Sequence, residues 1–337
     1  MNWLALDIGG ANLKLADGQG FAASHPFALW RDKDRLAWEL RSAIAESPPH
    51  DHLVVTMTGE LADCFASKVE GVKFILQAVH EAADGRHTRV YLVNGTMVSP
   101  NVAVARPLLA ASANWHALAC FCGRFAPQRP AWLIDIGSTT VDMIPLLEGR
   151  PVAAGDTDTD RLLAGQLVYT GVERSPVCAL VRTLPYRGQD CPVAQELFAT
   201  TRDVYLLLGD LPESPNDHHT ADHRPATRGA ACHRMARMLS ASELQFGLED
   251  AVACARHVAQ EQLAMLVQAA QRVLQRIQPQ PATAILSGHG EFLARRLLAA
   301  LSWRGEVISL VEKLGPIVSR CAPAHALAVL AKESTEH

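Results

Sequence analysis

The sequence has 337 residues, of which 49% are hydrophobic and 20% are charged, and its formal net charge is −4 at pH 7. This length predicts about two domains, and the composition excludes disordered, collagen-like and coiled-coil proteins. The slightly acidic balance creates no field that attracts a polyanion, so we expect no nucleic-acid partner. No apolar run reaches the roughly 18 residues that a membrane span requires, so we expect no membrane partner and a cytoplasmic location.

The first 130 residues predict a meander of three strands followed by alternating helices and strands, in the order βββαβαβα. The predicted strands are Trp3–Ile8, Leu13–Ala16, Phe21–Phe27, Leu53–Met57 and Val90–Val93. Helices are predicted from Asp32 to the prolines at 48 and 49, over 61–83 and over 102–119.

The second half repeats this pattern but carries a long insertion. Its predicted strands are Trp132–Ile136, Val141–Leu147, Val152–Ala154, Thr283–Leu286 and Val307–Ser309, with helices over 291–302 and 323–332. The insertion runs from about 157 to 280, and its end, Asp250 to Ile277, has apolar residues at helical spacing. We interpret that helix as packed on the core rather than as a partner-binding surface.

The internal repeat of two βββαβαβ halves predicts an α/β fold with two domains. The first domain is expected over 1–128 with a closing helix at 322–337, and the second over 129–321 with the largely helical insertion. This organisation resembles the superfamily of actin, sugar kinases and heat-shock ATPases. The resemblance implies two ribonuclease-H-like domains that face each other across a phosphate-binding cleft.

The first hairpin has the composition of a phosphate-binding loop. Its candidate residues are Asp7, Gly9, Gly10, Asn12 and Lys14. Glycines allow main-chain N–H groups to approach a phosphate closely. Lys14 follows Asp7 by seven residues, the offset at which actin-like ATPases carry a phosphate-contacting lysine. Asp7 would hold Mg²⁺, which takes few protein carboxylates and keeps several waters. The alternative is a tight hairpin with a surface lysine.

The second hairpin repeats this plan and adds hydroxyl groups. Its candidate residues are Asp135, Gly137, Ser138, Thr139, Thr140 and Asp142. Asp135 corresponds to Asp7 and is the second candidate Mg²⁺ ligand. Two such hairpins at one cleft favour phosphate binding over a purely structural role.

Polar residues elsewhere are further candidates for ligand contact. Thr58 and Glu60 follow a predicted strand, Asn114 precedes the second hairpin, and Arg174 could clamp a diphosphate or a carboxylate. Ser287, Gly288, His289 and Gly290 lie between a strand and a helix, where the superfamily carries its adenosine motif. His289 could equally be an ordinary loop residue.

A segment rich in histidine, aspartate and arginine, residues 217–233, lies inside the insertion. Its spacing matches no closed zinc motif, so we interpret it as a lid over the cleft, with a metal site as the alternative. No Walker, Rossmann, G-x-S-x-G or H-E-x-x-H motif occurs, and these absences remove the commonest nucleotide-binding, hydrolase and zincin patterns.

Five segments together resemble the hydantoinase/oxoprolinase-like family of tetrahydromethanopterin-linked one-carbon metabolism. They are 6–14, 57–61, 135–142, 170–178 and 221–228. The resemblance implies a transferase of methanofuran or methylofuran biosynthesis. Such an enzyme joins an aminomethylfuran-methyl diphosphate to the phenol of glutamyl-tyramine and releases pyrophosphate. Mg²⁺ would be the cofactor, and a base such as Asp142 would accept the phenol proton.

Two other classes of function use the same hairpins. The first is an ATP-dependent small-molecule kinase or a hydantoinase/oxoprolinase-like amidohydrolase, which would bind adenine at Ser287–Gly290. The second is an actin-like regulatory protein that binds ATP. The hairpins alone do not separate a furan diphosphate from ATP, because both ligands need the same backbone donors.

Overall fold

A computed structural model describes residues 2–335 as two α/β lobes, each built on one mixed sheet. Met1, Glu336 and His337, which the predicted first domain includes, lie outside the described residues. Within residues 2–335, no helix is long and apolar enough to cross a membrane.

The first lobe contains six strands in the order β3-β2-β1-β4-β5-β6. They are β1 (Trp3–Ile8), β2 (Asn12–Ala16), β3 (Ala22–Pro26), β4 (His52–Met57), β5 (His87–Tyr91) and β6 (Met97–Val98). Its helices are α1 (Leu29–Asp32), α2 (Leu36–Ala45), α3 (Lys68–Ala83), α4 (Pro100–Ala105), α5 (Pro107–Ala110) and α6 (Asn114–Cys122). Single 3₁₀ turns form at Lys33–Arg35, Gly59–Leu61 and Gly123–Phe125.

The second lobe starts with the same meander and completes its sheet only after the insertion. Its strands, with the insertion's hairpin, are β7 (Ala131–Ile136), β8 (Val141–Leu147), β9 (Arg150–Pro151), β10 (Leu167–Val168), β11 (Thr183–Tyr186), β12 (Gln189–Pro192), β13 (Thr283–Ser287) and β14 (Glu306–Ser309). The sheet order is β10-β8-β7-β13-β14, with β9 also on β8, and β11 pairs with β12 alone.

Helices make up most of the insertion and the end of the chain. They are α7 (Asp158–Ala164), α8 (Val177–Leu180), α9 (Thr201–Leu208), α10 (Arg228–Met238), α11 (Leu248–Arg276), α12 (Glu291–Ala300), α13 (Leu310–Leu314), α14 (Pro316–Arg320) and α15 (Ala322–Glu333). The last helix, α15, returns to the first lobe and packs against β1, β2, β4 and α6.

In both sheets, three antiparallel strands at one edge are followed by strands parallel to the innermost of them, which is the ribonuclease-H-like arrangement. The predicted α/β class with two ribonuclease-H-like lobes is therefore confirmed. Apolar residues of β1, β7, β13 and α15 meet in one buried cluster, so a continuous core joins the two lobes. The long helix α11 packs its apolar face on the core of the second lobe, as its spacing predicts.

Several predicted element boundaries are wrong for local reasons. The helix predicted over 61–83 begins at Lys68, because the Ser67 side chain accepts a hydrogen bond from the Glu70 N–H and caps it there. The helix predicted over 102–119 is three helices, since Pro107 starts a new one and Ser112 adopts a φ of +49°. Residues 152–154 form no strand, and β9 and β10 divide that edge of β8.

Candidate functional site

A cleft of about 500 Å³ lies between the lobes, and the tips of both predicted hairpins line it. The structure brings together fourteen of the predicted site residues there. They are Asp7, Gly9, Gly10, Asn12, Lys14, Thr58, Asn114, Asp135, Gly137, Ser138, Thr139, Thr140, Asp142 and Arg174.

The two hairpin tips have the same internal hydrogen bond. The Gly9 N–H donates to the Asn12 carbonyl at 3.0 Å, and the Gly137 N–H donates to the Thr140 carbonyl at 3.0 Å. In the described part of the chain, the N–H groups of residues 10, 11, 138 and 139 donate to no other residue. Unpaired main-chain donors that converge on a cleft form an anion-binding nest.

Each hairpin places a carboxylate at the end of its first strand. Asp7 pairs with Lys14 across β1 and β2, and Asp135 pairs with Asp142 across β7 and β8. Burial raises the pKa of Asp7, and the opposing effects of Lys14 and Asn114 only reduce this rise. Burial likewise raises the pKa of Asp135, against the smaller opposing effects of Ser287 and Lys14. The two hairpins thus share a plan but differ in charge, because one carries a lysine where the other carries an aspartate.

Lys14 supplies a free positive charge in this cleft. Its ammonium makes no ion pair with any residue in the range 2–335. Its charge nevertheless opposes the rise in pKa of both Asp7 and Asp135, so the ammonium group acts on both carboxylates. A cation beside unpaired N–H donors is the arrangement that an incoming phosphate needs.

Arg161, at the end of the first turn of α7, lines the cleft and is a candidate site residue that the sequence does not single out. It is fully buried, forms ion pairs with Asp142 and with Asp158, and its guanidinium lies 4.1 Å from the centre of the Trp115 ring. Burial raises the pKa of Asp142 to about 6, although Arg161 opposes that rise. A cleft carboxylate whose pKa is raised in this way is a candidate general base.

Polar contacts across the cleft join the lobes next to Arg161. Lys68 of the first lobe lies 2.8 Å from Asp158 of the second. The Ser112 hydroxyl lies 2.7 Å from Asp158 and 2.7 Å from Glu60. Burial raises the pKa of Glu60 to about 7. Glu60, a predicted ligand contact, is thus buried behind the cleft wall and does not line it.

The predicted adenosine loop is packed against the second hairpin rather than exposed in the cleft. Ser287 pairs with Asp135 in the sheet, and a Cβ on Gly288 would lie 2.2 Å from the Ile136 carbonyl oxygen. Gly290 has the same constraint, because its Cβ would meet the Ile136 side chain at 2.3 Å. His289 lies 3.3 Å from Glu173. Close packing therefore accounts for both glycines of this loop.

The histidine-rich segment differs from the predicted lid. Arginines in and just after the segment contact its Asp222 rather than the cleft: Arg224 lies 3.8 Å, Arg234 lies 3.0 Å and Arg237 lies 3.4 Å from that carboxylate. The residues after 227 form α10, so His233 is helical. None of the segment lines the cleft, and no group of three or more metal-binding side chains was found anywhere in residues 2–335.

Asp7 and Asp135 are the residues that fit Mg²⁺. The Oδ1 atom of Asp7 is buried and has no hydrogen-bond partner among the described residues. Both carboxylates line the cleft beside the free N–H donors of the hairpins. Mg²⁺ binds one or two carboxylates together with substrate phosphates, and this donor set suits that mode better than an all-protein cage.

Relatives of this chain are found over nearly its whole length. The profile described as hydantoinase/oxoprolinase matches residues 51–334. A protein of Methanocaldococcus jannaschii named (4-{4-[2-(gamma-L-glutamylamino)ethyl]phenoxymethyl}furan-2-yl)methanamine synthase is 30% identical over 99% of this chain and 98% of its own length. A protein of Methanococcus vannielii with the same name is 27% identical over 59% of this chain and 90% of its own length.

Solved structures share the fold at low sequence identity. Nucleotide-free acetone carboxylase has a TM-score of 0.50 and 14% identity, over 94% of this chain and 51% of its own. A chain of the PilM–PilN type IV pilus biogenesis complex has a TM-score of 0.50 and 16% identity, over 98% of each chain. These two likenesses concern the fold alone. The profile match and the M. jannaschii relative both cover most of the sequence, and the chain therefore belongs to the hydantoinase/oxoprolinase family.

Proposed function

We propose that this protein is a transferase of methanofuran or methylofuran biosynthesis. It joins an aminomethylfuran-methyl diphosphate to the phenol of glutamyl-tyramine and releases pyrophosphate. The observation that carries this proposal is the 30% identity, over 99% of the chain, to a protein named for a product with a phenoxymethyl-furan ether. The anion-binding hairpins support it, because the leaving group is a diphosphate.

In this proposal the diphosphate lies against the two hairpins. The free N–H groups at residues 10, 11, 138 and 139 donate to its oxygens, and Lys14 and Arg174 neutralise part of its charge. Asp7 and Asp135 would hold Mg²⁺, which when bound supplies further positive charge to the leaving group. These interactions strengthen as negative charge develops on the departing diphosphate. They therefore stabilise the transition state more than the bound substrate and lower the barrier to breaking the carbon–oxygen bond.

The chemistry is a displacement at the furan methylene carbon. The bond from this carbon to the diphosphate oxygen breaks, and both electrons leave with pyrophosphate. A bond forms between the same carbon and the phenol oxygen. Asp142 accepts the phenol proton, since its pKa near 6 leaves it ionised at neutral pH while it remains basic enough to take part. Arg161 holds that carboxylate in place through their ion pair.

The test is incubation of the purified protein with furan diphosphate, glutamyl-tyramine and Mg²⁺, in parallel with ATP in place of the diphosphate. We expect ether and pyrophosphate in equal amounts, and no ADP above background with ATP. Release of ADP in step with product would replace this proposal with a kinase or an ATP-dependent amidohydrolase. D7N and D135N serve as controls, because both should abolish turnover while the circular dichroism spectrum stays unchanged.

A further inference from the structure

We propose that one apolar rim of the cleft is the subsite for the aromatic ring of the acceptor. The rim consists of Trp30 and Leu61 from the first lobe and Leu167 and Tyr169 from the second. Its ligand class is an aryl ring with a free hydroxyl group. This inference rests on the proposed function, because it assigns the position of the second substrate in the same site.

The first observation is that exposed apolar side chains converge here. Trp30 is 41% exposed, Leu61 is 52% exposed and Tyr169 is 60% exposed, although all three line the same cleft. Exposed large apolar groups that meet in a concave site, rather than scatter over the surface, indicate a ligand with apolar surface. The hairpin tips present polar groups that suit a phosphate, whereas the rim presents the apolar surface that an aromatic ring needs.

The second observation is the position of the rim relative to the proposed base. Leu167 pairs with Asp142 across β10 and β8, and Tyr169 follows two residues later. Leu167, Tyr169 and Asp142 all line the cleft, so a ring packed on Leu167 and Tyr169 lies next to the Asp142 carboxylate. The hydroxyl group of such a ring is then near the Asp142 carboxylate, which accepts its proton in the proposed reaction.

The third observation is how the rim adjoins the diphosphate site. The Leu29 N–H donates to the Gly10 carbonyl at 3.0 Å, which anchors the helix carrying Trp30 to the first hairpin. The Arg174 N–H donates to the Ser138 carbonyl at 2.9 Å, which anchors that arginine to the second. The Arg174 guanidinium then lies 4.5 Å from the centre of the Trp30 ring. Trp30 is thus held at the first phosphate loop and, through Arg174, next to the second.

The position of Tyr169 makes it the residue to vary. Trp30 supports Arg174, so its removal would disturb the diphosphate site as well. Tyr169 has most of its surface exposed and makes no side-chain hydrogen bond with the described residues, so its truncation leaves the fold intact. Y169F keeps the ring and removes only the hydroxyl group. W38A is the matched control, because Trp38 is 59% exposed but lies outside the cleft.

The experiment measures KM for each substrate and kcat for the unaltered protein and these variants. We expect Y169A to raise KM for glutamyl-tyramine at least tenfold with KM for the furan diphosphate unchanged within twofold. Y169F should restore the acceptor KM to within threefold, and W38A should change neither value. An unchanged acceptor KM in Y169A, or equal increases for both substrates, would overturn the assignment of the rim.

A second measurement separates this inference from the proposed function. Calorimetric titration of tyramine itself, with Mg²⁺ and pyrophosphate present, detects the aryl subsite without any turnover. If tyramine binds to the unaltered protein and to Y169F but not to Y169A, the rim is supported as the aryl subsite. This result does not depend on whether ether is formed. Absence of ether from the unaltered protein contradicts the proposed function alone, and tyramine binding that is equal in Y169A contradicts the rim alone.

Discussion

Among residues 2–335, Lys14 has no carboxylate as an ion-pair partner, although it stands opposite Asp7 in the hairpin. A cation without a partner in a cleft lined by N–H donors is available to a ligand. K14A should therefore raise KM for the furan diphosphate roughly tenfold or more, with a smaller change in kcat. Steady-state kinetics with each substrate varied in turn measures this effect.

K313A provides the comparison, because Lys313 is an exposed lysine on α13 outside the cleft. It should leave both KM values unchanged. If K14A behaves like K313A, Lys14 does not contact the diphosphate, and the hairpin N–H groups alone hold the anion.

Asp142 and Arg161 predict a specific dependence of the rate on pH. A base must be ionised, so kcat/KM should fall below the Asp142 pKa of about 6 and reach a plateau above it. Arg161 lowers that pKa, so R161Q should move the acidic limb to higher pH by about one unit. The measurement is a profile of kcat/KM from pH 4.5 to 9 at a temperature where both proteins are folded.

Glu60 is a second carboxyl group whose burial raises its pKa into this range, to about 7. E60Q should leave the acidic limb in place, because Glu60 does not line the cleft. A limb that vanishes in E60Q and does not move in R161Q would assign the titration to Glu60 and remove Asp142 from the role of base.

Among the elements, those whose pattern is local could be predicted from the sequence. Both predicted hairpins form, and in each of them the residues seven apart are paired across the strands, Asp7 with Lys14 and Asp135 with Asp142. Helix boundaries were predicted less well, since periodicity does not reveal a cap such as Ser67. Arg161 could not be found at all, because its partner Asp142 lies 19 residues earlier, with the rest of β8, β9 and a loop between them.

Packing between a loop and a hairpin gives a prediction at the scale of the element. The segment from Gly171 to Arg174 lies on the second hairpin, and a Cβ on Gly171 would meet the Ser138 carbonyl carbon at 2.4 Å. G171A should therefore destabilise the protein by about 1–3 kcal/mol and weaken binding of Mg²⁺–pyrophosphate, because the hairpin has to move. Urea denaturation and calorimetric titration measure the two effects.

The matched variant is G229A, since a Cβ on Gly229 would meet nothing within 4 Å and the residue lies inside α10. It should be neutral or slightly stabilising, because alanine favours a helix over glycine. Equal stability of G171A and G229A would show that the loop does not constrain the hairpin.

For the whole molecule, one polar contact between the lobes, at Ser112, depends on a single proton. The Ser112 hydroxyl lies 2.7 Å from a Glu60 oxygen and 2.7 Å from an Asp158 oxygen. A hydroxyl group has one proton to donate, so both contacts are hydrogen bonds only when one of the carboxyl groups is protonated. Burial raises the pKa of Glu60 to about 7, whereas Asp158 has Lys68 and Arg161 as ion-pair partners. Glu60 therefore carries that proton.

Because Glu60 binds this proton more tightly in the folded protein than in the unfolded chain, the free energy of unfolding depends on pH. Between the ordinary Glu pKa of 4.5 and the folded value of about 7, the folded protein binds the Glu60 proton and the unfolded chain does not. The free energy of unfolding must then fall as pH rises through this window, and remain lower above it. The loss should be on the order of 1–3 kcal/mol between pH 5 and pH 8, or roughly 1–4 °C in Tm for a chain of this length.

E60Q tests this coupling, because an amide NH₂ donates to the Ser112 oxygen at every pH as the protonated carboxyl group does. Tm of E60Q should fall less between pH 5 and pH 8 than Tm of the unaltered protein, so the variant becomes the more stable of the two at pH 8. E196Q is the control, since Glu196 is exposed and makes no contact between the lobes; it should keep the full pH dependence. Parallel Tm curves for E60Q and the unaltered protein would mean that Glu60 is ionised in the folded state throughout this range. Ser112 would then donate its proton to Glu60, and the Lys68 ion pair alone would connect Asp158 to the first lobe.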